Sequence, residues 1–379
     1  MNKQNLNFTF ALHKLTILYV VIMLLQLFFL NIHVVNAKPL RTIAVFGGFN
    51  DDYYDILSNC IVKLKNLKII EAKPQNIGNM PRDLKVLWNW ISANVGGKHL
   101  KFLKDGFYSA DWDPKKRVAI KESVRTRLEN RHDVDLILAF GTWSGIDMID
   151  INKRVPVLIS GVTDAITSGI LPAETDKRKD NIAVIIEPDR YFKYVDVAYQ
   201  IFGFKKLGIS YDHTPLGRSI AAIDQIEKAC KLHGVEIIDC DGKFFPNYDP
   251  DDVFKSMLNC HKHFVEKKVD AVFITYNSLR PEQIPRVIEP LIKMNIPTIS
   301  QTGPQEVKMG VLTSVTNYDA NEGEFEANLI KEIINNTKPK DLPYIMNSSI
   351  SFCININTAS RIGWNPSLDM LLSVDEFFH

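Results

Sequence analysis

The chain has 379 residues, long enough for two ordinary domains with a sizeable core. Its 45 Lys and Arg residues balance its 44 Asp and Glu residues, so no overall charge favours nucleic acid or an acidic surface. We therefore expect no nucleic-acid partner and a partner that is recognised locally.

Residues 1–37 predict an export signal peptide. Lys3 and His13-Lys14 precede the apolar run LTILYVVIMLLQLFFLNI, and VNA at Val35–Ala37 ends on a small residue where a signal peptidase would cut. The run, residues 15–32, is near the roughly 18 to 20 residues that could span a bilayer, so an uncleaved N-terminal membrane anchor is the alternative. No Cys lies near the cut, so no lipid-anchored form is expected. We predict a periplasmic or otherwise exported location.

After Ala37 the chain alternates short β-branched runs with longer stretches of helical period. This pattern predicts parallel sheets covered by helices. One helix is predicted in the stretch from Gly217, before its start, to Gly234, just past its end. The segment Lys98–Arg117 is aromatic and basic and does not fit a plain crossover. The predicted strands are Arg41–Gly47, Leu67–Ala72, Asp135–Gly141, Val155–Gly161, Asn181–Ile186, Lys206–Tyr211, Gly234–Cys240, Asp270–Tyr276, Ile296–Ser300, Val311–Thr316 and Ile350–Ile356.

The loops after the carboxyl ends of these strands are where such sheets hold their functional residues. They are rich in small hydroxyl residues and amides, with a few carboxylates and aromatics, which suits a small polar molecule with an apolar body. The loops read GFNDDYY, GTWSG, GVTDAITSG, YDHTPLGRS, TYNSLR and SQTGPQEV.

These loops contain no catalytic motif. FGGFND after the first strand is not G-x-G-x-x-G, and no P-loop occurs, so no nucleotide cofactor is expected. Ser144 in GTWSG is one residue off the spacing of a nucleophile elbow. Asp164 and Asp212 stand on separate loops, where one Asp is more often a cap or a ligand contact than half of a catalytic pair. The sequence predicts a binding protein, not an enzyme.

Export would place the five cysteines in an oxidising compartment, where their odd number leaves at least one thiol unpaired or shared between chains. Cys240 closes a predicted strand and Cys260 ends a helical run, so these two could form a disulfide. No cysteine has metal-ligand spacing. A helix would point His261 and His263 to different faces, and we interpret them as a solvated surface pair. We predict no metal and no cofactor.

Five motifs follow one another along the chain: DLILAFGTWSG, VPVLISGVTDAITSGI, VDAVFITYNS, IPTISQTGPQEVKMGVLTSV and ININTASRIGWNPS. In this order the chain resembles a substrate-binding protein of an ABC importer, in the type 1 periplasmic-binding-protein class that includes the tryptophan-binding group. The resemblance covers essentially all of the chain from the first strand onward. Two features depart from it: the length of the segment 98–117, and Trp143 where small residues are common. The resemblance therefore does not identify the ligand.

The resemblance implies an α/β fold of two Rossmann-like lobes, with parallel sheets flanked by helices and joined by hinge crossovers. It assigns residues 38–187 plus about 301–345 to lobe 1, and 188–300 plus about 346–379 to lobe 2. It implies a monomer that binds a small molecule, such as an amino acid, in the interlobe cleft. The partners would be an ABC permease and, through it, an ATPase subunit. An exported hydrolase or a membrane-anchored ligand sensor using the same cleft is the alternative.

The resemblance also implies a ligand-binding set. Thr142 and Ser144 would donate to a ligand carboxylate or other acceptor, aided by the N-terminus of the following helix, and Trp143 would form an aromatic wall. Alternatively, Trp143 packs under the loop and Thr142 caps the helix. Asp164 would pair with a ligand ammonium, or else cap a helix at Ala165. The full set is Phe49, Asn50, Thr142, Trp143, Ser144, Thr163, Asp164, Tyr276, Asn277, Ser278 and Gln301.

Asn277 and Ser278 of this set would contact the ligand from the second lobe, or else form an ordinary turn. Other residues near these loops are expected to have structural roles. Asp212 and Arg218 are interpreted as an ion pair instead of ligand groups. The aromatic residues Trp88, Trp90, Tyr108 and Trp112 are expected to pack a lobe face.

Overall fold

The computed structural model describes residues 38–72, 80–172, 178–244, 247–317, 319–347 and 350–379, with the backbone alone at 317 and 319–321. The predicted signal peptide, residues 1–37, lies outside the described residues. In the part of the chain that is described, no helix is both long and apolar enough to cross a membrane.

The first sheet is built on a central strand, β1, which pairs in parallel with β4 and β5. Its described strands run in the order β2-β3-β4-β1-β5-β6-β7, and β2 and β3 form the antiparallel edge. The strands are β1 (Leu40–Phe46), β2 (Glu71–Ala72), β3 (Val95–Gly96), β4 (Leu100–Ser109), β5 (Leu136–Phe140), β6 (Val157–Ser160) and β7 (Ile182–Val184).

Helices cover both faces of this sheet, and each face has its own apolar cluster. Polar residues cap the N-termini of two of these helices. Asn50 accepts a hydrogen bond from the Asp52 N–H, and Asp113 accepts from the N–H groups of Lys115 and Lys116. The helices are α1 (Asp51–Asn66), α2 (Leu84–Asn94), α3 (Pro114–Asn130) and α4 (Gly141–Ile151).

The second sheet runs in the order β14-β13-β12-β11-β10-β8-β9. All its described pairs are parallel except β12 with β13. Its strands are β8 (Lys206–Tyr211), β9 (Glu236–Asp241), β10 (Ala271–Ile274), β11 (Thr298–Ser300), β12 (Thr313–Asn317), β13 (Ile350–Asn355) and β14 (Glu376–Phe378). The helices that follow β7 are α5 (Arg190–Phe202), α6 (Pro215–Ile220), α7 (Ile223–His233), α8 (Pro250–Glu266), α9 (Ile284–Ile292), α10 (Pro304–Lys308), α11 (Asp319–Ile334), α12 (Ile356–Arg361) and α13 (Leu368–Leu372).

The chain returns from the second sheet to the first through α11. Ala327 and Ile330 of this helix are buried in the core of the first lobe, and a Cβ at Gly323 would lie 2.3 Å from the Ile56 carbonyl oxygen of α1. The absence of a side chain at Gly323 therefore lets the two helices touch. The chain then returns to the second lobe as β13.

The two-lobed α/β fold is confirmed, with differences in detail. The predicted strands all appear, although Leu67–Ala72 is reduced to two residues. The assignment of the stretch after residue 300 to lobe 1 is wrong for β12, which pairs with β11 in the second sheet. The predicted helix Gly217–Gly234 is two helices, α6 and α7, because Ala222 adopts a left-handed φ of 53°.

The segment Lys98–Arg117, which fitted no element, contains the ten-residue strand β4. β4 lies beside β1, and its pairing shifts register between Thr42 and Ala44. The irregular pairing and the many charged residues on this strand explain why its pattern is not that of a buried parallel strand.

The predicted disulfide between Cys240 and Cys260 is confirmed. It joins β9 to α8 with the two Cα atoms 5.7 Å apart, within the ordinary range. Cys60, Cys230 and Cys353 are buried free thiols.

Two expected polar roles are wrong. His261 is fully buried, with Nδ1 2.7 Å from the Val287 carbonyl, because its face of α8 packs on α9; of the two histidines only His263 is partly exposed. Arg218 pairs with Asp224 and Glu227, and Asp212 instead accepts from the Tyr248 hydroxyl at 3.1 Å.

Candidate functional site

The carboxyl ends of strands from both sheets meet at a cleft between the lobes. A small pocket in this cleft has an open volume of about 20 Å³, room for roughly one water molecule. Of the predicted ligand contacts it contains Asn50, Thr142, Trp143, Thr163 and Tyr276. Its full lining is Asn50, Tyr53, Trp112, Thr142, Trp143, Gly161 and Thr163 from the first lobe, and Ile220 and Tyr276 from the second.

Tyr53 of α1 reaches this pocket because two glycines make room for it. A Cβ at Gly141 would lie 1.9 Å from the Tyr53 hydroxyl oxygen, and one at Gly161 would lie 2.8 Å from its ring. Both glycines also have left-handed φ angles, 85° and 64°, which other residues rarely adopt. The loops after β5 and β6 are thus shaped around one phenol ring.

GTWSG is not a loop after β5 but the first turn of α4. The helix cap is Phe140, which has no side-chain hydrogen bond to the turn, so Thr142 does not cap the helix. The Trp143 Nε1 and Ser144 Oγ atoms are buried and have no hydrogen-bond partner in the described structure. Unpaired buried polar groups are destabilising, and helix N-termini leave N–H groups unsatisfied. This turn therefore offers several donors to an acceptor group.

The Trp143 ring stacks against an arginine that is itself paired with a carboxylate. The Arg117 guanidinium lies 4.6 Å from the ring centroid of Trp143 and makes two hydrogen bonds, of 2.8 and 3.0 Å, to the Asp147 carboxylate. Such a paired, stacked arginine has little freedom to move.

Four residues of the pocket lining were absent from the predicted ligand-binding set: Tyr53, Trp112, Gly161 and Ile220. Both Trp88 and Trp112 were predicted to pack a lobe face. Trp88 is buried as expected, whereas Trp112 lines the pocket. Its ring lies 5.6 Å from Trp143 and 6.2 Å from Tyr53. The only signal was the unexplained aromatic segment that contains it.

The lobes touch through hydrogen bonds across the cleft. The Tyr276 hydroxyl donates to Asp52, and the Ser219 hydroxyl donates to the Asp164 carbonyl at 3.1 Å. Thr167 also donates to Asp224, at 3.0 Å. Burial raises the pKa of Asp52, and burial together with the Asp52 charge raises the pKa of Tyr276. The pocket is therefore seen in a closed arrangement, and a ligand larger than water needs the lobes to part.

Gln301 orients the second-lobe side of the pocket. Its Oε1 accepts from the Tyr276 backbone N–H at 2.9 Å, and its Nε2 donates to the Ile220 carbonyl at 3.0 Å. Tyr276 and Gln301 also line a neighbouring cavity of about 610 Å³, together with Asp52 and Arg190.

The remaining predicted contacts lie outside the small pocket. The Asp164 carboxylate accepts from the N–H groups of Ile166 and Thr167, as a cap would, but residues 165–169 form a turn and not the helix that the capping alternative expected. Asn277 donates to Glu306 at 2.8 Å, and Ser278 donates to backbone carbonyls of its own lobe. The Phe49 side chain is 49% exposed.

Buried carboxylates lie behind the cleft, and sequence reasoning did not find them. Glu322 of α11 accepts from the Gly161 N–H at 2.6 Å and so holds the loop after β6, and burial raises the pKa of Glu322. Within the described residues no group of three or more His, Cys, Asp or Glu side chains could hold a metal ion.

Two α/β lobes with a cleft between their strand ends define the type 1 periplasmic-binding-protein class. A family profile described as ABC transporter substrate binding protein matches residues 93–373, and the chain belongs to this family. No curated protein sequence matches the chain significantly.

Several solved structures share the fold at low sequence identity. An ABC domain in complex with L-Trp from Streptococcus pneumonia is 14% identical, with a TM-score of 0.65 over 89% of this chain and 100% of that one. A conserved domain protein from Vibrio cholerae is 14% identical, with a TM-score of 0.64 over 90% and 100%. A ligand-free, open substrate-binding protein with adhesive properties from Clostridium difficile is 15% identical, with a TM-score of 0.60 over 89% and 99%.

Proposed function

We propose that this protein is an exported solute receptor of an ABC importer. It binds a small polar molecule with an apolar body, such as an amino acid, between its lobes and delivers it to a membrane permease coupled to an ATPase subunit. It acts without turning the ligand over. The observation that carries the proposal is the first turn of α4, where Thr142 and Trp143 line the cleft pocket and the buried Trp143 Nε1 has no hydrogen-bond partner in the described structure.

A ligand carboxylate would be bound at this turn. Helix N-termini leave N–H groups free to donate, Thr142 lines the pocket beside the start of α4, and the positive end of the helix dipole favours a negative acceptor group. The rings of Tyr53 and Trp143 would contact the apolar body. Tyr276 and Ile220 would then cover the ligand from the second lobe as the cleft closes.

Two features support an amino acid and argue against the alternatives. The structural relative from Streptococcus pneumonia is in complex with L-Trp. The family is one of substrate-binding proteins, and the cleft loops carry no catalytic motif. A membrane-anchored sensor would use the same cleft, and genes for a permease and an ATPase beside this gene would favour import over sensing.

Calorimetric titration of residues 38–379 with the common amino acids tests the proposal. We expect one or a few to bind, and mass spectrometry to recover them unchanged. Thr142→Val, which replaces the hydroxyl by a methyl group of similar size, should weaken binding by about 1–3 kcal/mol. Thr126→Val on the exposed face of α3 is the matched control and should leave affinity unchanged. The proposed site would be overturned if none of the amino acids binds, or if Thr142→Val and the native chain bind with equal affinity.

A further inference from the structure

We infer that the first lobe carries a second binding site, a surface groove that takes a single-chain amphiphile with a carboxylate head, of the fatty-acid type. The groove has an open volume of about 440 Å³, within the roughly 300–1,000 Å³ of small-molecule sites. It has no lining residue in common with the cleft pocket, so this site is additional to the one proposed above.

The groove forms at the edge of the first sheet, where a turn stands in place of a helix. β7 is the last described strand of this sheet, and its residues Ile182 and Val184 line the groove. Residues 165–169 form a turn, and Ile166 of this turn lines the groove as well. Because a five-residue turn covers less of a strand than a helix does, apolar surface is left open at this edge.

The walls of the groove are apolar and in part already exposed. Ile170 and Leu171 are buried, whereas the Ile166 side chain is 53% exposed. Ile170 packs directly on the backbone of α4, since a Cβ at Gly145 would lie 2.8 Å from its Cδ1 atom. An aliphatic chain in the groove would cover Ile166 and contact a preformed wall, and removing this apolar surface from water favours binding.

Two cations line the groove, and no carboxylate does among its described lining residues. The Lys179 ammonium donates to the Ile149 carbonyl at 2.7 Å and, with three donors, can also bind an anion. The Arg178 guanidinium lies 4.5 Å from the ring centroid of Tyr344, which holds its charge at this place. The groove therefore favours an anionic head and disfavours a cationic one, and an aliphatic chain that ends in a carboxylate matches both its walls and its charge.

Calorimetric titration of residues 38–379, which contain every described element, with monomeric decanoate tests the inference. We expect one decanoate to bind per chain. Octanoate should bind roughly tenfold more weakly, because two fewer methylene groups are buried. Decyltrimethylammonium, which has the same chain and the opposite head charge, should bind weaker than decanoate by roughly tenfold or more.

Two variants locate the bound decanoate. Ile166→Glu places a carboxylate in the groove at an exposed position and should abolish decanoate binding. Val118→Glu is the matched control, because Val118 is 69% exposed on α3 and lies outside the groove lining. Lys179→Gln keeps a donor for the Ile149 carbonyl and removes the charge, so it should weaken decanoate binding roughly tenfold. Lys153→Gln, at an exposed lysine outside the groove, should leave the affinity unchanged.

The inference is overturned if decanoate does not bind, if decyltrimethylammonium binds as tightly, or if Ile166→Glu and Val118→Glu bind decanoate equally. A dimer in sedimentation that Ile166→Glu dissociates, without decanoate binding, would assign the groove to a second copy and also overturn it. Should Ile166→Glu fail to fold, the lysine pair decides, and equal affinities of Lys179→Gln and Lys153→Gln overturn the inference. None of these measurements uses the cleft ligand, so the proposed function holds or fails independently.

Discussion

His261 is a buried base in the core of the second lobe. Its Nδ1–H donates to the Val287 carbonyl, so Nε2 carries no proton, and this atom has no partner in the described structure. Burial lowers the pKa of His261 from 6.5 to about 4. As the pH falls, His261 therefore binds a proton in the unfolded chain before it does so in the folded chain. The free energy of unfolding consequently decreases between pH 6.5 and about 4.

We predict that His261→Asn reduces this pH dependence, because the amide can still donate to Val287 and does not titrate. In urea unfolding at pH 7 and pH 4.5, the native protein should lose on the order of 2–3 kcal/mol more than the variant. His263→Asn, on the partly exposed face of α8, should keep the native dependence. Equal losses in the native protein and His261→Asn would contradict the burial argument.

At the scale of elements, strand cores were predictable from the sequence and their surroundings were not. A buried run such as LILAF of β5 has one interpretation, because five consecutive apolar residues suit a strand covered on both faces. The charged β4 and the break at Ala222 depend on contacts between distant residues. The same holds for the site: Thr142 and Trp143 directly follow a predicted strand, whereas the hydrogen bonds that place Trp112 in the pocket join it to Gly47 and Phe49, which are distant in the sequence.

The contact of α1 with α11 gives a prediction for Gly323. A Cβ there would lie 2.3 Å from the Ile56 carbonyl and 2.9 Å from the Cys60 nitrogen, so Gly323→Ala must push the helices apart. We expect a loss of about 1–3 kcal/mol in the free energy of unfolding, measured in urea. Gly96→Ala at the sheet edge is the control, since its nearest neighbour would lie at an ordinary 3.8 Å. A Gly323→Ala protein of native stability would show that the helices separate freely.

The disulfide between β9 and α8 gives a prediction for the stability of the second lobe. Cys240 and Cys260 are 20 residues apart, and a closed loop of this length stabilises a protein by about 3 kcal/mol through the unfolded state. The double variant Cys240→Ser/Cys260→Ser should lose about that much in chemical unfolding. Reductant should lower the stability of the native protein and leave the double variant unaffected; equal sensitivity of both to reductant would argue against this bridge.

At the scale of the whole molecule, closure depends on bonds that cross the cleft. Removing two of them in Thr167→Val/Tyr276→Phe should enlarge the ligand-free radius of gyration in small-angle scattering. At about 1 kcal/mol for each bond, ligand affinity should fall by at most roughly thirtyfold. Ser168→Ala removes a hydrogen bond within the first lobe and should change neither quantity. An unaltered radius in the double variant would mean that other contacts hold the lobes together.

The return of the chain through α11 sets the order in which the molecule becomes complete during synthesis. The first lobe contains the earliest strands, yet Ala327, Ile330 and Met346 belong to its core. When the ribosome has made only the first three hundred residues, the first lobe is therefore incomplete. The side of α1 that packs against α11 is then still exposed to solvent. Neither lobe is a continuous stretch of chain, so the two must mature almost together, near the end of translation. A precursor that stays incompletely folded for so long remains open to chaperones for most of its synthesis.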